Sequence, residues 1–209
     1  MNNSSVYTQP KILRDKKVIK NLLNRINEPH VKKLNNYVKQ LRKNGLYKIP
    51  YFDPNDGGTD AKVLFLLEAP GRKAIESGFV SRNNNDETAK NMLNFLNEAG
   101  LAREDTVLWN IVPWYLGNNV AIRAANAIDI NGGLIALHKL LEKVLPKIKA
   151  IVLVGNNAQR QSVQNYLREK HSNIQIFYSY HPSPQFVNRV RGNRAIIIEE
   201  FKKVKEFIG

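Results

Sequence analysis

Cysteine is absent from all 209 residues. That excludes disulfides, thiolate catalysis, zinc–thiolate sites and an iron–sulfur cluster held by cysteine. Long apolar runs are missing too. No stretch approaches the ~18 apolar residues of a membrane span, and the start, MNNSSVYTQP, lacks the apolar core of a secretory leader. The expectation is a soluble, cytoplasmic, monomeric protein with no membrane partner. Neither GxxxxGK[ST] nor GxGxxG occurs, which argues against a nucleotide-binding α/β protein. Acidic residues are scarce as well: 18 Asp and Glu face 32 Lys and Arg, a net charge of +14. The excess is uneven, because residues 1–48 hold twelve Lys or Arg against only Asp15 and Glu28. Nucleic acid is the polyanion such a chain suits.

What is present alternates between strand and helix patterns. Residues 1–10 read as disordered. Residues 11–45 carry apolar positions at helical spacing, Ile19, Leu22, Leu23 and Ile26, then Leu34, Val38 and Leu41. They predict two basic amphipathic helices, the second opening at Pro29 and ending at Gly45. Residues 49–60 (IPYFDPNDGGTD) read as an irregular crossing loop anchored by Tyr51 and Phe52. Apolar runs then predict strands at 63–67, 106–112, 150–154 and 174–179. Helices are expected at 87–99 with Asp86 as N-cap, at about 131–145 behind an Asn cap, at about 157–168, and at 193–208. Such alternation implies a three-layer α/β/α domain with a central four-stranded parallel sheet over residues 49–209. Residues 1–48 are the basic helical extension packed against it.

Three polar features stand at the carboxyl ends of three of those strands: Glu68-Ala69-Pro70-Gly71, Asn110, and His181-Pro182-Ser183-Pro184. In a parallel sheet these ends share one edge, where ligands bind. The ordered set EAPG, VLWN and HPSP resembles the uracil-DNA glycosylase superfamily, most closely its EAPG-type members related to family 4. A phenylalanine-containing stretch (GFVSRNNND) and a glycine-ended strand (VLVGNNA) add to the likeness, which runs from about Ile49 to Phe207.

The resemblance implies a DNA-repair enzyme that flips a deaminated base from the stack and hydrolyses its glycosidic bond without metal or cofactor. It implies Asn110 reading the uracil edge, His181 facing uracil O2, Phe79 stacking under the base beside Ala69, and Gln185 and Phe186 wedged into DNA. The residue chemistry fits these roles. An amide offers donor and acceptor together, an imidazole N–H can steady a developing oxyanion, and a ring can stack on a base. Gly71, Arg72, Ser183, Gln185, Arg189 and Arg191 are the expected DNA contacts, and Arg194 follows them in the same basic run. Glu68 is a candidate catalytic carboxylate, although it could equally cap the next helix or pair with Arg72. Asn110 could instead pair with nearby backbone.

Two departures stand out. Relatives with the strongest activity carry a water-orienting aspartate where this chain has Ala69, while EAPG-type relatives share the alanine and are active; either the rate is lower here or Glu68 or Glu76 partly supplies that function. Family 4 also holds an iron–sulfur cluster through four cysteines, and packing of the 49–60 loop and N-terminal helices is the expected substitute. The rival functions are an inactive nucleic-acid-binding homologue and a glycosylase for hypoxanthine, xanthine or a thymine mismatch.

Overall fold

The helical spacing of the first segment resolves into two helices, α1 (Lys16–Asn24) and α2 (Pro29–Arg42). The computed structural model describes residues 7–43, 48–118 and 121–209, so the expected helix stop at Gly45 lies outside the described residues. Asp15 caps α1 by accepting from the Lys17 N–H at 2.7 Å, and Pro29 occupies the first turn of α2. Residues 7–10 are not loose. Tyr7 is buried with Leu13, Leu22 and Phe79, and the Asn83 side-chain amide donates to the carbonyls of Tyr7 and Gln9 at 2.9 Å each.

The extension is packed against the sheet domain closely enough to share its core. Val31, Leu34 and Val38 of α2 are fully buried in the main apolar cluster. The Tyr37 hydroxyl donates to the Ala136 carbonyl at 2.7 Å. Residue 48 therefore marks a change of composition rather than a gap in packing.

Beyond it, β1 (Tyr51–Phe52) and β3 (Phe79–Val80) form a short parallel pair. Between them run β2 (Val63–Leu67) and α3 (Arg72–Ser77). Then come α4 (Glu87–Glu98), β4 (Thr106–Asn110), α5 (Ala127–Lys143), β5 (Ala150–Val154) and α6 (Gln161–Lys170). The chain closes with β6 (Gln175–Ser179), α7 (Pro184–Val187) and α8 (Asn193–Ile208). The main sheet is fully parallel in the order β4-β2-β5-β6. Every residue of β5, and Val63 to Leu66 of β2, is buried, as strands covered on both faces must be. This is the expected α/β architecture.

Two helix starts differ from the sequence reading. Helix α5 opens at Ala127 because Asn126 and Asp129 form a reciprocal capping box. Helix α6 opens only at Gln161, since residues 155–160 turn on hydrogen bonds from Ala158 and Gln159 back to the Gly155 carbonyl.

Candidate active site

Parallel β2, β4 and β6 deliver their carboxyl ends to one edge, and there a cavity of about 350 Å³ opens. That size falls within the range of about 300–1,000 Å³ usual for small-molecule sites. Ala69, Pro70, Gly71 and Arg72 line it from the loop leaving β2, Asn110 from β4, and His181 from the loop after β6. Leu67, Val80, Met92 and Leu108 supply apolar wall. Asn110 and His181, distant in sequence, thus share one space.

Asn110 sits opposite Leu67 in the β2–β4 register. The Ile111 N–H bonds the Leu67 carbonyl at 2.8 Å and the Val112 N–H bonds the Glu68 carbonyl at 2.9 Å, so the strand exit is clamped. The Asn110 side chain is 3% exposed, and its Nδ2 is buried with no hydrogen-bond partner among the described residues. Leaving such a donor unpaired costs about 1–3 kcal/mol. An acceptor on a ligand in the cavity would satisfy it.

His181 is held by its neighbours. The Asn91 side chain of α4 donates to the Pro182 carbonyl at 2.9 Å, and the Gln159 amide donates to the Ser179 carbonyl at 2.8 Å. Gly155 at the end of β5 has φ +82°, and a Cβ placed there would lie 3.0 Å from the His181 Cβ. Only glycine gives both the turn and the clearance. Burial lowers the imidazole pKa, while the charges of Glu68 and Asp86 act against that fall. The net direction is down, so His181 is a neutral donor at pH 7.

Other expected site residues are placed elsewhere. Phe79 is fully buried against Tyr7, Leu13 and Leu22 and does not line the cavity. Successive strand residues face opposite ways, so it is Val80 that turns to the cavity. Glu68 is absent from the cavity lining as well. Its Oε1 accepts the Ala125 N–H at 3.1 Å and its Oε2 accepts the Asn157 amide at 2.7 Å. It braces three chain segments rather than facing a ligand, and neither the cap nor the Arg72 pairing describes it.

Ser183 precedes the short α7 and Gln185 lies on it, both outside the cavity lining. Phe186 stacks on Tyr180 with ring centres 4.4 Å apart and planes 13° from parallel. Arg189 and Arg191 are exposed, whereas Arg194 is engaged with Glu98 and the Phe95 ring. Glu76 is exposed and paired with Lys73 at 2.6 Å.

Ser81, Asn84 and Asp86 line the cavity too, although no motif in the sequence marks them as site residues. Asp86 was legible as a helix cap, and it is one, accepting the Ala89 N–H at 2.8 Å. Nothing in its local pattern signals the cavity on its other side. Asn84 spends its amide locally, donating to the Phe79 carbonyl at 2.9 Å and accepting from the Ser77 hydroxyl at 2.6 Å. The remaining histidines have structural surroundings: His30 contacts the Pro54 carbonyl at 2.9 Å, and His138 pairs with His171 at 3.1 Å.

A cysteine-held iron–sulfur cluster does not fit these residues. The chain has no cysteine, and among the described residues no group of three or more His, Asp or Glu is placed to hold a metal. No helix among the described residues is long and apolar enough to cross a membrane.

Residues 54–205 match the family described as the uracil DNA glycosylase superfamily. The Type-4 uracil-DNA glycosylase of Thermotoga maritima is 24% identical over 160 residues, spanning 73% of this chain and 81% of that relative.

Proposed function

The chain belongs to the uracil DNA glycosylase superfamily, and on that premise we propose that it hydrolyses uracil from DNA, leaving an abasic site. The observation that carries the reading is the orphaned Asn110 Nδ2, buried in the same cavity as a neutral His181. A uracil edge offers carbonyl acceptors to both groups. The base would enter after flipping from the stack, which costs a few kcal/mol and least at mispaired or single-stranded sites. Val80, Met92 and Leu108 supply apolar contact in place of an aromatic platform.

In the reaction the bond between C1′ and N1 lengthens and its electron pair moves to the base. Charge grows on the uracil carbonyls, so donation from His181 and Asn110 strengthens on the way to the transition state. The flanking DNA phosphates steady the cationic sugar, and water captures it. Ala69 favours a second reading, a family member that binds DNA without chemistry, because no carboxylate stands at that position.

Single-turnover release from oligonucleotides carrying uracil, hypoxanthine, xanthine or a thymine mismatch separates these readings. Uracil release that falls in His181→Ala, with DNA binding nearly retained, is the expected result. Release of another base in preference to uracil would reassign the substrate. No release from any of the four would leave the binding reading.

A further inference from the structure

We propose that Asp86 is the carboxylate that takes the proton from the attacking water and faces the cationic sugar, a catalytic residue for the reaction proposed above, on which this inference rests. The chemistry calls for a carboxylate near C1′, and the neighbouring acids are committed elsewhere. Ala69 has none to offer. Glu68 gives both oxygens to the Ala125 N–H and the Asn157 amide, outside the cavity lining. Glu76 is exposed and paired with Lys73. Asp86 is the single acid among the residues that line the cavity with Asn110 and His181.

Its placement is fixed rather than incidental. Oδ1 accepts the Ala89 N–H at 2.8 Å, which orients the carboxylate, and Oδ2 accepts no hydrogen bond from the described residues. Helix α4 carries Asp86 at its start and, one turn on, donates from the Asn91 amide to the Pro182 carbonyl at 2.9 Å. One helix therefore sets Asp86 and the His181 loop relative to each other. The charges of Glu68 and, after it, Asp86 both act on the His181 ring; of the two, Asp86 is the one that lines the cavity.

The step balances simply. The C1′–N1 bond breaks with its electron pair going to N1, and a water oxygen forms the bond to C1′. The water proton passes to Asp86 and then to solvent, and the departing base anion takes a proton from solvent.

Asp86→Asn tests this without removing the cap, since asparagine caps as well as aspartate. Uracil release under single-turnover conditions should fall by about 10²–10⁴-fold, the usual contribution of a positioned base. The melting temperature should stay near that of the wild type, and Glu76→Gln should release uracil at the wild-type rate. A second measurement does not depend on turnover. Wild type should bind duplex DNA carrying a cationic pyrrolidine sugar mimic more tightly than one carrying neutral tetrahydrofuran, and Asp86→Asn should lose that preference. Wild-type release together with an unchanged rate and preference in the variant overturns the role of Asp86 alone. A wild type that releases nothing, yet loses the cation preference on substitution, retains the Asp86 placement and overturns the reaction.

Discussion

Replacing Asn110 by leucine sets two effects of opposite sign against each other. The side chains are close in shape, so the change removes the amide without opening a void. In the free protein the buried Nδ2 has no partner among the described residues. Relieving an unsatisfied donor returns about 1–3 kcal/mol, and at about 2–4 °C per kcal/mol for a domain of this size the melting temperature should rise by several degrees. Base release should move the other way. A hydrogen bond to a group acquiring charge contributes about 1.5–3 kcal/mol, so its loss lowers the single-turnover rate by roughly ten- to 150-fold. The rate constant itself should fall, because the bond strengthens as the base becomes anionic. Thermal unfolding of the free protein and uracil release from an oligonucleotide measure the two halves. A variant that melts earlier and still releases uracil normally would show that Asn110 is there to hold the strand, and the site assignment would fail.

Gly155→Ala forces a left-handed backbone on a residue with a Cβ, 3.0 Å from the His181 Cβ; an expected cost of about 1–3 kcal/mol should appear as earlier melting together with slower release, and an unaltered variant would show that the close approach is unimportant. The His181 imidazole should titrate below 6.5 in the folded protein. Its unfolded form then binds the extra proton first, so its contribution to stability is complete above pH 6.5 and is lost as pH falls from there through the lower folded-state pKa. NMR titration checks the direction, and an acid-induced loss of stability smaller in His181→Gln than in wild type checks the linkage, with His171 shifted the same way as background. Reversing exposed Lys16, Lys17 and Lys20 to glutamate tests the basic extension without removing α2, whose Val31, Leu34 and Val38 belong to the core. If those lysines meet phosphates, the salt slope of duplex binding should shrink by ~0.9 per lost contact, and an unchanged slope would show that α1 only packs.

The fold was legible where one face of an element decides its pattern. Four apolar runs became the four sheet strands, and Asp86 and the start of α8 fell where expected. Elements of two residues, such as β1 and β3, carry no period to read, and two asparagines five apart left the start of α5 to a capping box with Asp129. In the site, Asn110 could be read because an amide inside an apolar strand must be satisfied by something. Glu68 and Phe79 could not. An acid after a strand suits bracing and chemistry equally, and the decision lay with Ala125 and Asn157, far along the chain. A phenylalanine in a two-residue strand can face either way, and the apolar side chains of the N-terminal segment drew it from the cavity.

Residues 79–86 show how closely that segment is tied to the site. Val80, Ser81, Asn84 and Asp86 line the cavity. Ser81 also donates to Asp53, which with Asp56, Arg82 and Arg103 forms a largely buried ionic network. Burial raises the Asp56 pKa against the opposing charges of Arg82 and Arg103, and lowers Arg82 to about 10, so the arginine stays charged at neutral pH. Such a network adds little net stability, but its directional bonds permit few alternative arrangements of the loops that share it. The N-terminal residues join the same structure: Leu13 N–H bonds the Asn83 carbonyl at 3.1 Å, and Lys11 pairs with Glu87 beside Asp86. The wall of the cavity is thus held from behind by the basic extension, through Tyr7, Lys11 and Leu13.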